Sequence, residues 1–389
     1  MDLKKIKNIV LRKEILLSIF ILSVVITNFQ SILSGPNRME NGEMEYCSYN
    51  NYIIFAKSSE HIRMGKDLYV HYPDEYWDLY KYSPSFAVFF GFFATFPDWL
   101  GLFLWNLLNA LVFFVAVISI PGLSEKQKLL ALAFSFIEFF TSIQNEQSNA
   151  LMAGLIILAF SSLEGRKYLL ASFLIVFSVY IKLFGIVALV LYLFYPQKLR
   201  LALYTALWFV VLFLIPLVYV DTGGYLALLE SYGRMLANDN RVSNAYSVMG
   251  WLYNWFGLEI DKYFIVLMGA AILIIPLINT ASYKTYSYRL LCLSSILVWV
   301  VVFNHKAESP TYVIAMAGAS LWFVISRKSV GNIVLFVFAI IFTSLSPTDL
   351  FPSVLRENVV IPYSLKAFPL ILIWVKIVFD SLRKPGLMS

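Results

Sequence analysis

Apolar positions along this chain fall into long unbroken blocks. They do not alternate with the short periods of a half-buried strand or a surface helix. Apolar runs occupy 15–34, 83–98, 101–120, 129–142, 148–163, 168–195, 201–220, 263–279, 290–303, 311–326, 332–346 and 363–380. A helix needs about 20 apolar residues to cross a bilayer core, and the first run meets that length. The pattern predicts an all-α, polytopic transmembrane bundle of about 11–13 helical segments, forming a single integral membrane domain over 1–389. Between the runs lie short basic links, Lys198/Arg200, Lys284/Arg289, Arg327/Lys328 and Arg383/Lys384, and two long polar stretches, 35–82 and 221–262.

Charge placement orients the bundle. The segment before the first run carries Lys4, Lys5, Lys7, Arg12 and Lys13, which the positive-inside rule assigns to the cytoplasm. Stretch 35–82 holds five Lys/Arg against eight Asp/Glu, and 221–262 holds three against five, so both read as external loops. The two ends do not join cleanly. Splitting 168–195 at Lys182 gives thirteen segments, and an odd number cannot leave both termini inside. Either 168–195 crosses once, with Glu146 inside and Arg166/Lys167 outside, or an earlier short run between 83 and 163 is re-entrant, which reverses both. The second arrangement obeys the positive-inside rule better. The irregular stretch 142–182 is then expected to line a cavity, because broken helices at membrane depth need protein or water beside them.

Composition removes the soluble alternatives. Hydrophobic residues make up 60% of the chain and charged residues 14%, against about 45–50% and about 25% in soluble domains. Mean hydropathy is +0.74. A soluble enzyme, a disordered protein and a fibrous protein are excluded. The net charge of +6 is absorbed by topology and gives no reason to invoke nucleic acid. Cys47 and Cys292 sit in unlike surroundings and form no metal-binding spacing. The first run lacks a small-residue cleavage site and reads as a retained helix. The nine Trp and 24 Tyr suit an interfacial aromatic belt.

Polar chemistry gathers in the external stretches. All three histidines, His61, His71 and His305, fall there, as do most acids. An external site cannot use cytoplasmic nucleotide sugars, so an enzyme there needs a substrate activated in the membrane, as on a lipid phosphate. Within the first loop, 49–64 has the make-up of an amphipathic helix lying on the membrane surface. Gly65 stands at its C-cap, and Ser83-Pro84 opens the next helix.

The string Asn51-Tyr52-Ile53-Ile54-Phe55, then Gly65-Lys66-Asp67-Leu68-Tyr69, then Tyr80-Lys81-Tyr82-Ser83-Pro84 resembles the opening of family 87 glycosyltransferases. Later elements resemble that family in order. They are Glu146-Gln147-Ser148-Asn149, Lys182-Leu183-Phe184, Ser243-Asn244-Ala245-Tyr246-Ser247 with Gly250, and Asn304-His305-Lys306. The resemblance implies a GT-C fold with a catalytic first external loop. It also implies transfer of a hexose or pentose, mannose favoured, from a polyprenyl-phosphate donor to a lipid or glycan acceptor, with inversion. The membrane would be the inner (plasma) membrane and the site would face the periplasm or exterior. No resident cofactor or metal is implied, although lipid-phosphate enzymes can borrow a divalent ion. The family's loop-one Asp falls on Asn51, and an amide is no base at neutral pH.

Inverting transfer needs a carboxylate to take the acceptor proton and cations to hold the departing phosphate. Asp78 is the first candidate base; its alternative role is a surface ion pair with Lys81. Asn51 either hydrogen-bonds substrate, caps a helix, or marks an inactive relative. Glu146, an acid near the membrane, is the other catalytic candidate, with an interfacial solvated carboxylate as the alternative. Lys182, His305, Lys306 and Arg241 are candidates for the donor phosphate, although Lys182 could instead snorkel. Gln147, Asn149, Tyr80, Tyr82 and Asn244 are candidates for binding substrate. A transporter or flippase and a polysaccharide polymerase are the rival classes. Neither the paired broken helices of the first nor the late large loop of the second is present in the sequence.

Overall fold

The computed structural model describes residues 12–38, 45–238 and 246–383. The expected all-α bundle is found. The described strands are a two-strand antiparallel ribbon, β1 (Pro36–Arg38) and β2 (Glu45–Cys47). In chain order the helices are α1 (Lys13–Leu33), α2 (Asn50–Arg63), α3 (Pro84–Ala94), α4 (Asp98–Ile118), α5 (Glu125–Gln144), α6 (Asn149–Glu164) and α7 (Tyr168–Ile181). A 3-10 helix, Leu183–Phe194, follows. Then come α8 (Lys198–Leu214), α9 (Thr222–Asn238), α10 (Val248–Phe256), α11 (Lys262–Ile274), α12 (Tyr286–Val302), α13 (Tyr312–Ile325), α14 (Val330–Ala339) and α15 (Phe368–Leu382).

Side-chain bonds sort the connections into two ends of the bundle. At one end Gln127 donates to the Val324 carbonyl, Tyr286 to the Pro121 carbonyl, and Arg289 clasps Glu164 with bonds of 2.6 and 2.7 Å. This end holds the short basic links. At the other end Ser31 donates to Glu146, Ser83 to the Tyr180 carbonyl, and Lys182 to Asn149. Twelve segments run between the ends: α1, α4 to α8 with the 3-10 helix, and α11 to α15. Both ends of the described chain therefore lie at the basic end.

The even count arises because α3 does not traverse. Ser83 caps it, accepting from the Phe86 amide, and Pro84 occupies its first turn as expected. Its 11 residues span about 16 Å, half of a bilayer core of about 30 Å. Its far end stays at the cavity end, where Tyr52 donates to the Phe93 carbonyl and Asn28 to the Trp99 carbonyl. The 168–195 run is split, as the charge pattern favours. Lys182 is extended (φ −137°, ψ 124°) and ends α7. The 3-10 helix folds back along α7, which Gly185 permits: a Cβ there would lie 2.8 Å from the Ser178 backbone carbon. A similar close approach joins α12 and α13, where a Cβ on Gly318 would sit 2.7 Å from the Ser294 carbonyl oxygen. Small residues serve this purpose between membrane helices.

Two expectations are corrected. The helix foreseen over 49–64 forms as α2, with Gly65 in the left-handed conformation after it, but its apolar side chains are not left open to a membrane. Nine of its side chains, Tyr52 to Ala56 among them, are buried. Phe55 meets Tyr82, Phe86, Phe90 and Trp105, and His61 bonds Glu75 at 3.0 Å. Protein covers the face that membrane was expected to cover. Stretch 142–182 is also mostly regular helix (α6 and α7), and only its two ends, 144–147 and 181–182, line the cavity at the non-basic end.

Deep in the bundle, Lys366 binds both carboxylate oxygens of Glu138 at 2.9 and 3.1 Å, with both side chains almost fully buried. The pair joins the connection before α15 to α5.

Candidate active site

At the non-basic end a cavity of about 730 Å³ opens among the connections. Its polar wall comes from the start of α2, the end of the first loop (77–82), the α5–α6 turn (144–147), Lys182 and the turn after α12 (304–308). The apolar part of the lining comes from Phe184 and Val187 of the 3-10 helix, Met235 of α9, Val266 of α11, and Val300 and Phe303 at the end of α12.

Lys182 is the best-held cation of that wall. The break between α7 and the 3-10 helix points it at Asn149 Oδ1 (2.7 Å) and Gln147 Oε1 (3.3 Å), and it stands 5.8 Å from the Tyr82 ring centre. Burial lowers its ammonium to about 8, with Glu308 opposing the shift. Asn149 does not line the cavity; it is fully buried and positions Lys182 from behind. Gln147 faces the cavity and donates to Glu308 Oε2 at 3.3 Å.

Glu308 is the functional candidate that sequence reasoning missed. It is exposed to the cavity and caps the turn Ser309–Thr311. Its signal was present, an acid two residues after His305-Lys306 and just before Ser309-Pro310. Lys306 lies within electrostatic reach of Lys81, Asp78 and Glu308, and burial is the main cause of its lowered ammonium pKa. His305 lines the cavity too. Burial and then Lys262 hold its imidazole below the usual value. It is therefore a neutral hydrogen-bonding group at pH 7, and Lys306 alone supplies the positive charge expected of the two.

Asp78 lines the cavity with its side chain 44% exposed. Oδ2 accepts from Lys81 Nζ at 2.8 Å and Oδ1 from the Leu79 amide. Its backbone adopts φ +78°, a conformation that L-residues rarely take and that recurs at functional positions. The preceding Trp77 is fixed by Asn50, which donates to its carbonyl and accepts from its amide. Trp77 stacks on Tyr46 and keeps one face open at the cavity mouth.

Glu146 reaches the cavity wall but is only 2% exposed. Its carboxylate has Ser31 Oγ at 3.4 Å, its carbonyl accepts from Trp105, and its φ is +50°. Burial pushes its carboxyl pKa well above the usual range. Asn51 lines the cavity and donates to the Asn145 carbonyl at 2.9 Å, tying α2 to the α5–α6 turn. Tyr82 lines the cavity beneath Lys182. Tyr80 does not: it is fully buried and donates to the Ser83 carbonyl, which bends the chain into α3. The substrate role expected of Tyr80 is withdrawn. Arg241 and Asn244 lie outside the described residues. Among the described residues, no three His, Cys, Asp or Glu converge to hold a metal ion.

The model of glycosyltransferase family 87 matches residues 80–347, most of the chain. The chain belongs to glycosyltransferase family 87. No curated protein matches it. As a family 87 member it is a membrane glycosyltransferase. The matched span contains Tyr82, the α5–α6 turn, Lys182 and 304–308, four pieces of the cavity wall. Asn51 and Asp78 precede it.

Proposed function

We propose that this glycosyltransferase moves a sugar, mannose in the first instance, from a polyprenyl-phosphate donor to a lipid or glycan acceptor. The transfer would proceed with inversion on the external face of the inner (plasma) membrane. The observation that carries the proposal is the mixed lining of the cavity. Lys182 and Lys306 share it with apolar side chains from four helical segments, so one space accommodates a phosphate and the start of an isoprenoid chain.

In this mechanism the acceptor hydroxyl oxygen attacks the anomeric carbon while the bond from that carbon to the phosphate oxygen breaks. Asp78 takes the hydroxyl proton. Lys182 and Lys306 stabilise the charge growing on the departing polyprenyl phosphate, and His305 hydrogen-bonds it. Burial raises the Glu146 carboxyl and favours its neutral form, so in this mechanism Glu146 holds the α5–α6 turn and leaves the role of base to Asp78. The amide at Asn51 does not leave the site without a carboxylate, since Asp78 and Glu308 both line it.

Proteoliposomes holding the purified protein, radiolabelled polyprenyl-phosphate mannose and a membrane-lipid extract from the source cells test the proposal. Labelled product is expected. Passage of labelled donor across the bilayer without transfer would establish a flippase instead, and tight binding without turnover an inactive relative.

A further inference from the structure

At the basic end, far from the cavity, a second recess of about 360 Å³ lies between the start of α7 and α8. Arg166 and Lys167 enter it from the turn before α7, and Arg200 enters from the first turn of α8. None of the three has a carboxylate partner among the described residues. Glu164, the nearest acid in sequence, is occupied by Arg289 at 2.6 and 2.7 Å and by the Tyr195 hydroxyl at 2.6 Å. The hydroxyls of Tyr168 and Tyr204, also in the recess, make no hydrogen bond within the described residues.

The backbone adds to this field. Helix α7 has 14 residues and no side-chain cap at its start, so the amides of its first turn, which borders the same recess, have no intrahelical partner. The two walls are tied together by Trp208 of α8, which donates to the Leu169 carbonyl at 3.1 Å and packs on Phe173. Beside the cations, Leu169 and Leu170 are each 45% exposed, facing where acyl chains would run.

We propose that this recess binds the phosphodiester headgroup of an anionic membrane phospholipid. Three uncompensated cations, two free phenols and an uncapped helix start border one recess, roomy enough for a phosphodiester headgroup. The flanking leucines favour a lipid over a free ion. Basic recesses between helices at a membrane face are read by anionic headgroups in this way. The site is independent of sugar transfer and does not rest on the donor proposed above.

The test uses the full chain, purified in a zwitterionic detergent and followed by thermal unfolding. Phosphatidylglycerol, phosphatidylcholine and inorganic phosphate are titrated separately. Phosphatidylglycerol should raise the melting temperature saturably, while the other two leave it nearly unchanged. Arg166→Gln with Arg200→Gln should raise the phosphatidylglycerol concentration needed by about tenfold or more. Arg166→Lys with Arg200→Lys, which keeps the charge, should restore most of the response and controls for folding. Equal stabilisation by phosphatidylcholine, or an unchanged titration in the glutamine variant, would overturn the site. A full response to inorganic phosphate would overturn the lipid as its occupant.

Discussion

Lys182→Met separates the chemistry of the cavity from its stability. Two quantities follow from the surroundings of Lys182. A fixed charged donor on a developing phosphate charge contributes roughly 3–4 kcal/mol to the transition state, so its loss should lower kcat/KM by about 10²–10³-fold. Folding moves in a different direction. Lowering the ammonium from 10.5 to about 8, at about 1.4 kcal/mol per tenfold, means that holding the charge in place costs roughly 3 kcal/mol. Methionine removes that cost but strands Asn149 Oδ1, which accepts from Lys182 at 2.7 Å, at about 1–3 kcal/mol. The two nearly cancel. The variant should unfold within about 2 kcal/mol of the parent while losing activity at least a hundredfold.

The pH dependence carries a definite sign. The folded-state value lies below the unfolded one. The cost is therefore full below about pH 8 and is relieved as pH rises from about 8 toward 10.5. Over that window the parent should gain stability relative to Lys182→Met. Activity runs the other way, because the ammonium is the working form: kcat/KM should fall as pH rises through about 8. Lys182→Arg keeps its charge at these pH values and should lose that alkaline limb while retaining partial activity. Initial rates with labelled polyprenyl-phosphate mannose across pH 6–10 read this directly. A methionine variant within threefold of the parent, or an arginine variant with the limb intact, would refute the role of Lys182.

Asp78→Asn should lower kcat by about 10²–10⁴-fold with an unaltered gel-filtration profile, since its pair with Lys81 is largely exposed and worth less than about 1 kcal/mol. Retained turnover would transfer the role of base to Glu308, and Glu308→Gln then becomes the deciding variant. Lys366→Met should cost about 3–5 kcal/mol of stability by leaving the Glu138 charge unpaired in the bundle. Glu138→Gln added to Lys366→Met should recover part of the loss, and equal melting temperatures for the single and double variants would deny the coupling. In a Cys47→Ser background, Asn145→Cys should react with an impermeant maleimide on intact cells and Arg166→Cys should not. The reverse pattern would invert the proposed sidedness.

Much of the bundle was legible because the membrane forces apolar side chains into blocks and charged ones into links. Ser83-Pro84 and Gly65 were legible because caps depend on local chemistry. Lys182 stood out because a lone cation in an apolar run needs a partner, and Gln147 with Asn149 provides it. Other features depend on what faces what. Helix α2 has the composition of a surface helix, yet α3 and the end of the first loop cover it. Hydrophobic content cannot tell protein from lipid as the covering phase. The same ambiguity made α3 resemble a span when it returns to the same end. Tyr80 and Tyr82 are two residues apart, and only the turn at Ser83 decides that one packs inward while the other reaches the cavity.

The amide at position 51 follows from the same geometry. Asn51 donates to the Asn145 carbonyl at 2.9 Å, and this bond joins α2 to the turn that carries Glu146 and Gln147. A carboxylate there has no proton to give and would face a carbonyl oxygen, which is repulsive at that distance. Asparagine thus secures the cavity wall, and in the proposed mechanism the proton-accepting work falls to Asp78. It lines the cavity beside Trp77, and its backbone is held at φ +78°. Placing the base one loop segment away from its expected position leaves the charge balance of the site intact. Asp78 with Lys81 and Glu308 with Gln147 line the same cavity as Lys182 and Lys306, where in the proposed mechanism the phosphate departs.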